Sequence, residues 1–204
     1  MNPEIEQFIT LLEERPHSPT VTNPYRLPHR SDNLTAYLGA MLDRRHRRIL
    51  MVGEAPGYRG GLLTGIPFSS CSLLSLAPHP FLRSLRDRIR VSGRTGEATA
   101  GMVWHYLRRR RILPLFWNAF PFHPHLAGLE TSNRAPNAAE TAEGQQYLQL
   151  IGRLYRPQRV AGLGRKGTDA ASGAFPEHPV TRIRHPSYGG KREFVRGMDA
   201  LFRE

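Results

Sequence analysis

The stretch that most limits what this chain can become is Arg48-Ile49-Leu50-Met51-Val52 and the sixteen residues after it. The first five form a short apolar run of strand type. Gly53-Glu54-Ala55-Pro56-Gly57-Tyr58-Arg59-Gly60-Gly61-Leu62-Leu63-Thr64-Gly65-Ile66-Pro67-Phe68 then packs five glycines and two prolines into sixteen residues. A helix or central strand would not tolerate that density, so a loop is expected throughout. A buried strand that runs out into a glycine-rich loop is where open α/β sheets place their ligands. Glycines such as Gly53 and Gly57 let backbone approach a ligand closely. Turn residues in a long connection give the same composition, so glycine richness does not settle the matter.

Two further strands repeat the arrangement. Ile112 to Phe116 and Trp117 lead to a polar Asn118, and Val180-Thr181-Arg182-Ile183-Arg184 leads to His185-Pro186-Ser187. Arg159 to Gly164 is another strand, with a short helix behind it from Gly164 to Gly173. Between the strands apolar residues recur at helical spacing. Ile5, Phe8, Ile9 and Leu12 predict a helix over about 3–14. Leu34, Tyr37, Leu38 and Met41 predict one that Ser31 or Asp32 would cap. Helices are also expected over 72–90 with a break at Pro78-His79-Pro80, over 101–110, over 137–155, and at the C-terminus through Phe194, Met198 and Leu201. The proline-rich segment from Arg15 to Pro28 reads as extended chain over the surface, and 123–136 as a long polar loop. Strands alternating with helices imply parallel pairing and right-handed crossovers. The expected fold is α/β: three layers, α/β/α, around a small, mainly parallel four-stranded sheet, in one domain over 1–204.

Charge points to the partner. The net charge is +12, and Lys166 and Lys191 are the only lysines, so arginine carries nearly all of it. Arginine makes planar, bidentate contacts to phosphate, which favours an acidic polymer; an arginine-rich genome would leave the same mark. Arg44 to Arg48 and Arg108 to Arg111 precede strands, at the end of a parallel sheet opposite its site, and read as a solvated face or as secondary contacts. Arg59, Arg134, Lys166, Lys191 and Arg192 follow strands and are better placed for phosphates. No apolar run approaches the ~20 residues of a membrane span. The N-terminus lacks a signal-peptide pattern. The single cysteine, Cys71, excludes an intrachain disulfide. A cytoplasmic monomer without membrane attachment, metal or other cofactor is expected. The pair His123 and His125 has no third ligand at a matching spacing and reads as loop surface.

The three loops resemble, in order and spacing, those of the uracil-DNA glycosylase superfamily over about residues 48–190. Gly53-Glu54-Ala55-Pro56-Gly57 is similar to its first motif, Asn118 to the Asn that ends a later strand, and His185-Pro186-Ser187 to its terminal loop. The longer pattern through Thr64, Gly65 and Phe68, with Asn133-Arg134-Ala135-Pro136 and Glu140, looks like the branch whose relatives hold an iron–sulfur cluster. That cluster would need four cysteines, which this chain lacks. The resemblance implies a monofunctional glycosylase that hydrolyses the N-glycosidic bond of uracil or a related deaminated base in DNA. Gly53, Ala55 and Gly57 would line the base, and Phe68 would stack on it, though Phe68 could equally be core. Asn118 would read its edge, an alternative being that it caps a turn. His185 would donate to the departing anion. Pro186, Ser187 and Tyr188 would press into the minor groove, and Tyr58 lies where it can meet the base or DNA.

Water activation is where the chain departs from that pattern. Ala55 stands where one branch has an aspartate, and Cys71 where the cluster-bearing branch has another. Glu54 is the nearest acid; it either positions water or hydrogen-bonds backbone in the glycine loop. Gly57 replaces a tyrosine that blocks 5-methyl groups in the strictest uracil-specific members, so scope broader than uracil is expected unless Tyr58 fills that space. The rival readings are a glycosylase-fold binding module with weak or no catalysis, and a phosphoester hydrolase. The second would want a metal-binding carboxylate cluster, and acids are scarce near these loops.

Overall fold

The computed structural model describes residues 2–203. Its strands are β1 (Val21–Thr22), β2 (Ile49–Gly53), β3 (Leu115–Asn118), β4 (His123–Pro124), β5 (Arg159–Leu163) and β6 (Val180–Ile183). Its α-helices are α1 (Pro3–Glu14), α2 (Arg30–Leu42), α3 (Gly61–Thr64), α4 (Cys71–Leu76), α5 (Pro80–Ser84), α6 (Ala98–Leu107), α7 (Ala138–Tyr155), α8 (Gly164–Ala174) and α9 (Lys191–Arg203). The residues fall into two compact units, one of 1–45, 56–108 and 122–135, the other of 46–55, 109–121 and 136–204.

The second unit holds the four-stranded sheet, in the order β3-β2-β5-β6 and parallel throughout. Every residue of β2 is buried, as the unbroken apolar run of a central parallel strand requires. In β6, Thr181 and Arg182 are exposed, which suits an edge. The crossovers β3-α7-β5 and β5-α8-β6 step the same way along the sheet, and right-handedness then puts α7 and α8 on one face. Asn137 and Glu140 close a reciprocal capping box that starts α7. Three glycines set the helix–sheet spacing. A methyl on Gly144 would overlap the Ala119 carbonyl, one on Gly162 the Thr168 backbone, and one on Gly167 the Val52 carbonyl. The mixed α/β fold with a parallel four-stranded sheet is as the sequence predicts.

The other unit departs from expectation in several places. The proline-rich segment is not confined to the surface: Val21, Asn23 and Tyr25 are buried. Asn23 Nδ2 donates to the Leu12 and Arg15 carbonyls at 2.6 and 2.7 Å, and its Oδ1 accepts from Tyr25 N–H. One side chain thus serves the open carbonyls at the end of α1 and begins a 3₁₀ turn at Pro24–Arg26. Helix α2 begins one residue before Ser31, after His29 in a left-handed conformation, with no side-chain cap. The glycine-rich stretch accommodates one helical turn, α3, closed by Gly65 at φ 74°. His123 and His125 are buried, not loop surface, because β4 pairs antiparallel with β1 and draws the strand inside.

The basic runs before strands are more than a solvated face. Arg44 lies over the Phe81 ring at 5.4 Å, and Arg48 over Tyr155 at 5.6 Å. Arg110 pairs with Asp199 at 2.6 Å. These guanidiniums pack on aromatic faces and carboxylates of their own units.

Candidate functional site

In the sheet-bearing unit the chemistry collects at the carboxyl ends of the strands. Asn118, the last residue of β3, stands in register with Gly53, the last of β2. Two further bonds carry the alignment past the strand ends: Ala119 N–H to the Gly53 carbonyl at 2.8 Å and Phe120 N–H to the Glu54 carbonyl at 3.0 Å. Glu54 is therefore held beside the turn that Asn118 opens. Asn118 is buried, and among the described residues no hydrogen bond engages its amide. Its oxygen can accept and its NH₂ can donate, the pattern a uracil edge complements.

Glu54 Oε1 is withdrawn from solvent and lies 3.4 Å from Lys166 Nζ, although the two side chains are 43% and 46% exposed. Lys166 sits in the first turn of α8, which Gly167 allows to press onto β2. On β6's side, Ser187 N–H donates to His185 Nδ1 at 3.3 Å. A neutral His185 accepting there carries its proton on Nε2, as a donor. A methyl on Gly164 would stand 3.6 Å from His185 Cβ, so His185 leans over the end of β5, the neighbour of β2. Beyond it Pro186 is buried, Ser187 half-buried, and Tyr188 97% exposed at φ 53°. Lys191 and Arg192 are exposed at the start of α9.

The other unit carries the remaining residues. Phe68 is half-buried and held at φ 53°, a region that costs a bulky residue about 1–3 kcal/mol. Its carbonyl accepts from Trp104 Nε1 at 2.9 Å. On either side, Thr64 Oγ1 and Ser69 Oγ are bonded at 2.7 Å, and Ser69 Oγ donates to the Ile66 carbonyl at 2.8 Å. Tyr58 N–H donates to Asn133 Oδ1 at 3.0 Å, and a methyl on Gly57 would meet the same amide at an ordinary 3.6 Å. Arg59 is exposed. Arg134 turns inward, donating to the His125, Thr20 and Ala135 carbonyls. Cys71 is a buried thiol at the start of α4, and burial pushes its pKa up, against a backbone hydrogen bond and the charge of Arg30.

Two contributions are not apparent in the sequence. His123 Nδ1 lies 2.7 Å from the Pro56 carbonyl, in the glycine-rich loop, and Nε2 3.0 Å from that of Glu130; a neutral ring, with one N–H, donates to one of the two. Burial holds its pKa below the ordinary histidine range, although both carbonyls pull it up. Its place directly after Phe120-Pro121-Phe122 is the available signal. Asn133 hydrogen-bonds the glycine-rich loop, which its motif match alone does not disclose.

Among the described residues no cluster of His, Cys, Asp or Glu can hold a metal ion, and no helix is long and apolar enough to cross a membrane. A cavity of about 440 Å³ lies away from the site, lined by Arg153, Arg156, Phe175 and His178 where α7 and α8 end.

Comparison with solved structures finds the wild-type SMUG2 crystal structure from Pedobacter heparinus at a TM-score of 0.67 and 13% identity, covering 98% of this chain and 99% of that one. No curated protein matches the sequence. The family model of the uracil DNA glycosylase superfamily matches residues 41–198, which contain both the strand-end loops and the glycine-rich stretch. On that match, which spans most of the chain, and on the shared fold, the protein belongs to the uracil DNA glycosylase superfamily.

Proposed function

We propose that the protein is a monofunctional DNA glycosylase that releases uracil or a related deaminated base by hydrolysis of the N-glycosidic bond. The observation that carries this reading is that Asn118, Glu54 and His185 all follow the carboxyl ends of strands of one parallel sheet, β3, β2 and β6. A buried amide with no hydrogen bond among the described residues suits reading of a base edge, since an unfilled hydrogen-bonding site rejects the wrong base strongly. His185 Nε2–H suits stabilisation of the negative charge that gathers on the departing base, a donor contribution of about 3 kcal/mol in comparable sites.

Phe68, in its strained conformation, is assigned as the face on which the extruded base stacks. Tyr188 and its neighbours are assigned to the duplex, as a wedge held outward by a left-handed backbone. Arg59, Lys191 and Arg192 are exposed and suited to phosphate contacts. Neither Lys166 nor Lys191 lies within the three sequence motifs, which disfavours a lyase route through a lysine nucleophile.

The test is release of base from labelled oligonucleotides containing uracil, hypoxanthine or xanthine, single- and double-stranded, followed by alkaline cleavage at abasic sites. Release by the wild-type chain and its loss in Asn118→Ala and His185→Ala are expected. A second reading, a base-binding module with little catalysis, is favoured by Ala55 and by the neutral, buried thiol of Cys71 where relatives carry an acid. Salt-sensitive DNA binding with no release from any substrate would support it.

A further inference from the structure

Lys166 stands in an unfavourable place for a structural lysine. It lies in the first turn of α8, which has no side-chain cap and no acidic residue, and Arg165 precedes it. Cations at a helix N-terminus oppose the helix dipole. The compensating anion comes from outside the helix: Glu54, just past the end of β2, whose Oε1 faces Lys166 Nζ at 3.4 Å. An exposed pair of this kind contributes little to stability, so stability does not account for it. The backbone on both sides of the pair is nevertheless tightly set. Gly167 lets the α8 backbone close on Val52, and Glu54's own carbonyl is fixed by Phe120 N–H at 3.0 Å. Oε1 has no hydrogen bond among the described residues and is shut off from solvent, which leaves Oε2 as the outward oxygen of a carboxyl that is 43% exposed overall.

We infer that Lys166 is a positioning residue for the glycosylase reaction, holding Glu54 by Oε1 so that Oε2 orients the attacking water. The inference rests on the glycosylase reading and assigns the function that Ala55 and Cys71 leave vacant. In the step it describes, the water oxygen forms a bond to C1′ while the C1′–N bond breaks with its electron pair on the base. The water's proton passes to Glu54 Oε2 and on to solvent. The base anion, held by His185, takes a proton from solvent. Lys166 gives up no proton and touches no substrate.

Single-turnover rates and DNA affinities for the wild-type chain, Lys166→Met, Lys166→Arg, Glu54→Gln and Glu54→Gln/Lys166→Met test this. Lys166→Met is expected to slow base release at saturating enzyme about tenfold or more, within the ~10²-fold that a displaced group can cost. DNA affinity, its salt dependence and the melting temperature should stay unchanged, and Lys166→Arg should restore much of the rate. In the Glu54→Gln background Lys166→Met should add nothing, since it acts only through the carboxylate. The assignment is overturned if Lys166→Met weakens binding and lowers the salt slope by about one while the saturated rate holds, as for a phosphate contact. It is equally overturned if the two substitutions multiply. Either result leaves the glycosylase reading standing, whereas no release by the wild-type chain removes both.

Discussion

The backbone N–H of Ser187 donates to Nδ1 of His185 at 3.3 Å, and this relationship decides which ring nitrogen carries the proton. An accepting Nδ1 leaves the proton on Nε2, so a neutral imidazole is already a donor on its other edge. Under the proposed mechanism His185→Ala should lower the saturated rate of base release by about 10²–10³-fold, as removal of a single anion-stabilising donor does elsewhere. Single-turnover kinetics at constant DNA affinity measures this, and a rate within twofold of wild type would remove His185 from the chemistry.

Phe68 pairs a strained backbone with a half-buried ring. Stacking of a base on such a face is worth ~1–3 kcal/mol, so Phe68→Ala should reduce kcat/KM by roughly 5- to 150-fold. Phe68→Leu, which keeps apolar bulk without the π-face, should recover little. Full activity in Phe68→Leu would make the ring a packing element instead.

Tyr188 is 97% exposed at φ 53°, next to Gly189 at φ 76°. Tyr188→Gly relieves the left-handed strain and removes little packing, so the melting temperature should hold or rise slightly. If the side chain wedges into the duplex, release from double-stranded DNA should fall while release from single strands persists. Equal losses on both substrates would argue against a wedge.

Gly167 has no room for a side chain, because a methyl would overlap the Val52 carbonyl, which is backbone and cannot swing aside. Gly167→Ala should destabilise by about 1–3 kcal/mol, the usual cost of overpacking, and lower the melting temperature by several degrees. Gly101 is the control, since nothing lies within 4 Å of the place its methyl would take. Gly101→Ala in helix α6 should be neutral or stabilising.

His123 predicts a pH dependence. Its folded pKa lies below the ordinary 6.5, with burial as the largest cause and the stacked His125 as a smaller one in the same direction. The unfolded chain therefore binds more protons than the folded one just below pH 6.5, and stability falls as the pH drops through that window. Above it this contribution is fully present. Thermal melts from about pH 7.5 down to about pH 5 should show the decline. His123→Gln, though less stable throughout, should flatten this part of the slope.

Much of the sheet is legible locally. Ile49 to Val52 is uninterrupted apolar chain because a central parallel strand is covered on both faces, and Val180–Ile183 stands out by β-branching and by the loop after it. Helix α1 is visible in the spacing of Ile5, Phe8, Ile9 and Leu12, and α7 in its Asn137 start. The start of α2 is not, because His29 takes a left-handed conformation and no side chain caps the helix, so Ser31 and Asp32 mark nothing. The burial of Asn23, His123 and His125 is hidden too: polar residues read as surface until distant carbonyls, or a β1–β4 pairing about a hundred positions apart, satisfy them.

The candidate site divides along the same line. Order and spacing of Gly53-Glu54-Ala55-Pro56-Gly57, Asn118 and His185-Pro186-Ser187 are enough to indicate the superfamily, because each motif is a contiguous segment whose chemistry is local. What those residues face is set by chain segments far away. Lys166 reads as one more phosphate contact after a strand, and Arg134 as another. Only the folded chain turns Arg134 onto the carbonyls of Thr20 and His125 and brings Lys166 to Glu54, more than a hundred residues earlier. The physical reason is that pairing in a parallel sheet and close helix–sheet contact at Gly167 are long-range events. They set which charges meet, and no local pattern records them.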